Sequence, residues 1–68
     1  MKKLPKKQNQ DFINVSNYLM ENINIVDEES MSDFSTLSIN LLKACKDGAD
    51  EGDLNQLFFL HDKYKNQL

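Results

Sequence analysis

A chain of 68 residues with one cysteine is long enough for one small domain and cannot form an internal disulfide. Its 40% apolar and 28% charged residues are typical of a globular domain. No apolar run is long enough for a membrane span or a signal peptide, so we expect a cytoplasmic protein that does not enter a membrane. So small a core is marginally stable, which favours association, most simply as a homodimer.

Charge is unevenly distributed along the chain. Four of the eight basic residues lie within the first seven positions: Lys2, Lys3, Lys6 and Lys7. All eleven acidic residues follow them, and there is no arginine. We interpret residues 1–8 as a basic flexible tail, whose lysines have phosphate contact as an alternative role. Without arginine, and with an acidic body, we do not expect a nucleic-acid partner.

The first predicted helix is short and spans about residues 10–23. Its apolar residues recur at spacings of three and four, which places them on one helical face: Phe12, Val15, Leu19 and Ile23. Because asparagine and β-branched residues are frequent here, the intrinsic helix propensity is low. We therefore expect this helix to be held by packing.

The second predicted helix spans about residues 28–47. Asp27 is the predicted N-cap, and Val26 and Met31 occupy the positions of a hydrophobic staple. Ser30, three residues before Asp33, is a competing cap. The predicted core face contains Phe34, Leu37, Leu41 and either Ala44 or Cys45.

The third predicted helix spans about residues 53–67, with Asp53 and Gln56 at capping-box spacing. Gly48 follows the second helix as its C-cap glycine. Residues 48–52 form a short connection, and short connections join antiparallel neighbours. The sequence therefore predicts an all-α fold, in which an antiparallel helical hairpin carries a short first helix laid across it.

The apolar residues outnumber the core positions that three short helices can offer. Phe59 lies off the apolar face of the third helix and is expected to point away from the core. Exposed apolar groups on a globular protein are usually interaction sites. The predicted interaction surface consists of Met20, Ile39, Phe58 and Phe59.

No group of residues has the pattern of a catalytic, cofactor or metal site. His61, the only histidine, has no acid–base partner one helical turn away, and Cys45 is interpreted as a small buried residue. A calcium loop starting at Asp47 would need side-chain oxygens where the chain has Ala49 and Phe58. The acidic loop instead offers contacts to a basic partner through Asp47, Asp50, Glu51 and Asp53. We therefore expect a protein that is not an enzyme.

The segment from Tyr18 to Ser30 resembles the YmgB/AriR group of small enterobacterial proteins. It has an aromatic residue, an asparagine, two aliphatic residues and an acidic helix start: Tyr18, Asn24, Ile25, Val26 and Asp27 to Ser30. Leu41–Leu42 and residues 57–61 are also similar, if an insertion near residues 47–52 is allowed. The resemblance implies an all-helical bacterial homodimer that regulates biofilm formation and acid stress as a connector of two-component signalling, with DNA association in some members.

Three functions are consistent with these features. The first is a regulatory adaptor that binds itself and another, unidentified protein through its surplus apolar surface. The second is an acidic antagonist, such as a nucleic-acid mimic or a host-protein inhibitor from a mobile element. The third is a nucleoid-associated protein that uses the N-terminal lysines.

Overall fold

The computed structural model describes residues 2–68. It contains three α-helices, α1 (Lys6–Asn22), α2 (Glu28–Lys46) and α3 (Glu51–Tyr64), followed by a 3₁₀ turn at Lys65–Gln67. The described residues form no β-strand, so the predicted all-α class is confirmed. One detail of that prediction is wrong, because α1 has 17 residues and is longer than the 14-residue α3.

Helices α2 and α3 form the predicted antiparallel hairpin. Asp33 near the start of α2 accepts a hydrogen bond from the Tyr64 hydroxyl at the end of α3 (2.5 Å). In the middle of the hairpin, the Asn40 side-chain amide donates to Gln56 Oε1 (2.8 Å). Helix α1 lies across both helices, and the Tyr18 hydroxyl near its end donates to the Leu68 carbonyl.

The start of α2 is fixed by a reciprocal capping box. The Ser30 backbone N–H donates to Asp27 Oδ1 (2.8 Å), and the Asp27 backbone N–H donates to Ser30 Oγ (3.1 Å). The predicted N-cap, Asp27, is therefore confirmed, and Ser30 is its N3 partner and not a competing cap. Val26 and Met31, the predicted staple, are both exposed.

The start of α3 differs from the prediction. Asp50, and not Asp53, is the N-cap, and α3 begins at Glu51. Asp53 is the N3 residue of this second capping box, because its side chain accepts from the Asp50 backbone N–H (3.1 Å). Asp50 and Asp53 have the same spacing of three as Asp53 and Gln56, so local spacing does not choose between the two starts.

The N-terminal segment is part of the fold, so the prediction of a flexible tail over residues 1–8 is wrong for residues 3–8; Met1 lies outside the described residues. Helix α1 begins at Lys6, directly after Pro5, whose fixed φ and missing N–H suit a helix start. Leu4 is buried, and its backbone N–H donates to the Ala49 carbonyl (2.9 Å). Buried apolar contact and a backbone hydrogen bond therefore hold the segment.

One side chain of α1 joins both sides of the connection between α2 and α3. The Asn9 amide nitrogen donates to the Ala44 carbonyl (3.0 Å), and Asn9 Oδ1 accepts from the Ala49 N–H (2.7 Å). Between these two residues the chain reverses at Gly48, whose φ of 97° lies in the left-handed region that favours glycine. The predicted glycine C-cap is therefore confirmed.

The core is formed by one face of each helix and by three residues outside the helices, Leu4, Ile23 and Ala49. On α1 the predicted face is shifted, because Ser16 is fully buried and Val15 is exposed. On α2, Ala44 is buried and Cys45 is exposed, so the interpretation of Cys45 as a buried residue is wrong. The buried apolar residues are Leu4, Phe12, Leu19, Ile23, Leu37, Ala44, Ala49, Leu57, Leu60 and Tyr64.

We predict that Asn9→Ala lowers the free energy of unfolding by roughly 1–3 kcal/mol, because it leaves a part-buried N–H and a carbonyl without their partner. Urea denaturation followed by circular dichroism measures this change. Asn14→Ala, on an exposed turn of the same helix, is the matched control and should change stability by less than about 0.5 kcal/mol. Equal effects of the two substitutions would contradict the role given to Asn9.

We also predict that Leu57→Ala costs about 2–5 kcal/mol, because Leu57 is buried between the helices. Leu42→Ala removes the same atoms from an exposed site and, measured at concentrations at which the chain is monomeric, should cost less than about 0.5 kcal/mol. Leu41 is only partly buried, and its substitution should fall between the two. Denaturation of the three variants at one protein concentration tests this order, and a fully stable Leu57→Ala variant would refute the core assignment.

Candidate interaction surface

The middle of the helical hairpin contains no charged residue. Residues 34–42 of α2 and residues 54–60 of α3 lack Asp, Glu, Lys and Arg, although these types make up 28% of the chain. Each run is followed or preceded by charged residues, such as Asp33, Lys43 and Asp53. The exposed surface of these two runs is therefore polar but uncharged, or apolar.

Four large apolar side chains of these runs are exposed, and we call them the apolar band. Their exposed fractions are 66% for Ile39, 67% for Leu42, 61% for Phe58 and 66% for Phe59. The predicted outward direction of Phe59 is confirmed. Met20, the fourth residue of the predicted interaction surface, is instead half-buried and packs against the core.

Ile39 and Phe59 are close along the chain to the two residues that form the central hydrogen bond of the hairpin. Ile39 precedes Asn40, and Phe59 follows Gln56 by one helical turn. The Asn40–Gln56 bond pairs two exposed amides with each other. Two of the polar side chains in the middle of the hairpin are thus paired with each other, next to exposed apolar residues.

Phe58 borders a groove between α1 and α3. The groove has a volume of about 280 Å³, and the buried Phe12 and Leu57 lie at its floor. Val15 of α1 and Phe58 of α3 line it as exposed residues. An apolar groove next to an exposed phenylalanine suits the side chain of another protein.

Beyond the apolar band, a cluster of polar groups joins the start of α2 to the end of α3. Asp33 accepts from Lys63 Nζ (2.7 Å) and from the Tyr64 hydroxyl, and Glu29 is also ion-paired with Lys63. Burial opposes ionisation of Asp33, but the hydrogen bonds from Lys63 and Tyr64 outweigh it and lower its pKa. Burial, together with the bond to Asp33, raises the pKa of Tyr64 to about 12.

A second cluster closes the opposite end of the hairpin. Lys43 Nζ donates to Asp53 (2.9 Å) and to Asp50 (3.1 Å), and these bonds raise the pKa of Lys43. The Asp53 backbone N–H, followed by Lys43, lowers the pKa of Asp50. Two of the four acidic residues predicted to contact a basic partner therefore have partners within the fold, while Asp47 and Glu51 are exposed.

The N-terminal lysines do not form one free cationic group. Lys3 Nζ donates to the Gly48 carbonyl (3.0 Å), and Lys7 is ion-paired with Asp11 at 3.6 Å. Lys2 and Lys6 are exposed. Of the four lysines predicted to contact phosphate, two are thus exposed and two take part in local interactions.

A further apolar surface was missed in the sequence. Ile25, Val26 and Met31 line a groove of about 540 Å³ at the start of α2, together with Asp27, Glu28 and Ser32. Val26 is the most exposed large apolar residue of the described chain, at 79%. The staple spacing of Val26 and Met31 indicated burial, and the sequence contains no local signal against it.

Within residues 2–68, no three His, Cys, Asp or Glu side chains are placed to hold a metal ion. His61 and Cys45 both lie at the surface. In the same part of the chain, no helix has the length and apolarity needed to cross a lipid bilayer.

Comparison with protein families, with curated proteins and with solved structures gives no match to this chain.

We predict that stability declines at both extremes of pH. The pKa values of Asp27, Asp33 and Asp50 lie below the ordinary 3.8 in the folded state, so their contribution is present above that pH and is lost as pH falls through the folded-state values. For Tyr64 the contribution is complete below pH 10.0 and is lost as pH rises to about 12. Urea denaturation across the pH range measures both declines.

Asp33→Asn should make the acidic decline shallower, because residue 33 then no longer titrates. Asp62→Asn, on the exposed surface of α3, is the matched control. If Asp33→Asn and the unmodified protein lose stability equally steeply in acid, the proposed contribution of Asp33 is wrong.

Proposed function

We propose that this protein is a small regulatory adaptor that acts by binding other proteins through exposed apolar helix surface. The observation that carries this proposal is the apolar band: four large apolar side chains exposed on two charge-free runs of one hairpin. A contiguous apolar patch on a protein surface usually marks an interaction site, and we infer that these four side chains contribute to one. The centres of protein interfaces are also depleted of charge and enriched in aromatic residues, as this band is.

A second copy of the chain is the first partner that we propose for the band. In a two-fold symmetric dimer, residues close to the axis meet their own equivalents. Charged residues there would repel each other, whereas Ile39 and Phe59 would pack together. The association would also add buried apolar area to a domain whose own core is small.

The acidic antagonist and the nucleoid-associated protein have less support. Asp50 and Asp53 are paired with Lys43, so few acids of this loop are free for a basic partner. At the N-terminus, Lys3 and Lys7 are used locally, and Leu4 fixes the segment to the core. Our proposal includes the narrower role that the resemblance suggests. In that role the protein is a cytoplasmic connector of two-component signalling in bacterial biofilm and stress regulation.

We predict that Phe59→Ala and Ile39→Ala weaken self-association roughly tenfold or more, because each removes a central apolar contact. Sedimentation equilibrium at several protein concentrations measures the dissociation constant. Val26→Ala removes apolar atoms from an exposed site at the start of α2 and is the matched control. Circular dichroism should show the same helix content in all three variants.

Affinity capture from a lysate of the host, at low and at about 0.5 M salt and with or without nuclease, tests the adaptor role itself. Apolar docking is insensitive to ionic screening, so we expect the same protein partner under all four conditions. Partners lost at high salt would indicate charge mimicry, and partners lost with nuclease would indicate nucleic-acid binding. Either result, or a monomeric protein that captures nothing, would contradict the proposal.

A further inference from the structure

The groove at the start of α2 is a second exposed apolar surface, separate from the band. Ile25, Val26 and Met31 line it, and the carboxylates of Asp27 and Glu28 stand at its rim. It is the larger of the two grooves described above. None of the apolar or acidic residues of this groove belongs to the apolar band.

The shape of this groove is fixed before any partner binds. The backbone N–H groups of Val26 and Asp27 both donate to Ser30 Oγ, at 2.9 and 3.1 Å. Two residues before Val26, the Asn24 N–H donates to Gln67 Oε1 (2.7 Å), which attaches the connection to the C-terminal turn. Because these bonds hold the connection in place, little conformational entropy is lost when the groove is occupied.

The course of the chain between two fixed residues also explains why Val26 is exposed. Ile23 is buried and ends α1, while its extended backbone leads the chain away from the core. The chain then has to reach the N-cap at Asp27, whose backbone is also extended. Ile25 and Val26 lie between these two fixed points and are left at the surface.

The rim of the groove selects the sign of a partner's charge. The Ser30 backbone N–H, with the Ser30 hydroxyl, lowers the pKa of Asp27, so this carboxylate stays ionised at neutral pH. Glu28 forms none of the ion pairs within residues 2–68. Two carboxylates beside an apolar surface attract a cationic group and repel anionic ones, including the headgroups of anionic lipids.

We propose that this groove binds a segment of a partner protein that combines large aliphatic side chains with lysine or arginine. The aliphatic side chains contact Val26 and Met31, and a cationic side chain pairs with Glu28. This inference rests on the proposed function in that it requires a protein partner, and it assigns to that partner a surface other than the apolar band. A partner can therefore bind while Phe59 is covered by a second copy.

Three blocked pentapeptides test the inference: acetyl-Lys-Leu-Lys-Leu-Lys-amide, its analogue with Ser for Leu, and its analogue with Glu for Lys. They separate the apolar from the charge contribution. Titration of the ¹⁵N-labelled full chain, followed by amide chemical shifts, gives the affinity and the location. We expect saturable shifts across residues 25–32 with the first peptide, and at least roughly tenfold weaker binding of the other two.

Matched variants assign the contacts. Met31→Ala should weaken binding of the first peptide several-fold, and Glu28→Gln roughly threefold, without loss of helix content. Asp27 is left unchanged because it caps α2. Phe59→Ala should bind the peptide as the unmodified protein does.

Equal binding of the Lys–Ser peptide, shifts centred on the apolar band, or no saturable shift would each overturn the inference. None of these results depends on self-association or on a host partner. Peptide binding by a chain that stays monomeric and captures no protein would support the groove and contradict the adaptor function. If the peptide does not bind but the chain dimerises and captures a protein, the adaptor function is supported and the inference about the groove is contradicted.

Discussion

The two hydrogen bonds of the Asn9 side chain hold the corner on which the arrangement of the three helices depends. Its amide bonds the carbonyl of Ala44, in the last turn of α2, and the N–H of Ala49, just before α3. One side chain can do this only if it has both a donor and an acceptor, which an aspartate at neutral pH does not. Because Asn9 belongs to α1, the same two bonds fix the angle of the hairpin and the position of the helix that crosses it.

Charge is distributed around this frame so that both ends of the hairpin carry charged residues and its middle carries none. Lys43 with Asp50 and Asp53 closes one end, and Asp33 with Lys63 and Tyr64 closes the other. The groups of each cluster form hydrogen bonds and ion pairs with each other within the fold. The middle needs no ion pair to hold its two helices together, and its exposed side chains can be apolar without separating charges from their partners.

The sequence predicts elements well where the signal is local. The start of α2 follows from Asp27 and the residues next to it, and its end follows from Gly48, because capping chemistry involves only neighbouring residues. The outward direction of Phe59 follows from helical periodicity alone. The roles of Ile39, Phe58 and Phe59 as contact residues stay predictions, since no partner is present.

The sequence fails where distant residues decide. Leu4 and Pro5 lie among four lysines, and it is residues far along the chain that make this segment part of the fold: the core that buries Leu4 and the carbonyls of Gly48 and Ala49. Asp50, and not Asp53, is the N-cap of α3. It lies at a corner where Lys43 donates to Asp50 and Asn9 accepts from the neighbouring Ala49 N–H. The burial of Ser16 in place of Val15 follows from how α1 lies on the hairpin, and a serine carries no apolar signal.

The attachment of the N-terminal segment also sets an order of events during synthesis. Lys3 and Gly48 are 45 residues apart, and Asn9 and Ala49 are 40 apart, so these bonds cannot form until the ribosome has released residue 50. Helix α1 packs more extensively on α2 than on α3, and only the short connection of residues 23–27 separates it from α2. These two helices can therefore pack against each other before α3 has left the ribosome, and until then the core face that Leu57, Leu60 and Tyr64 later cover stays open on the nascent chain.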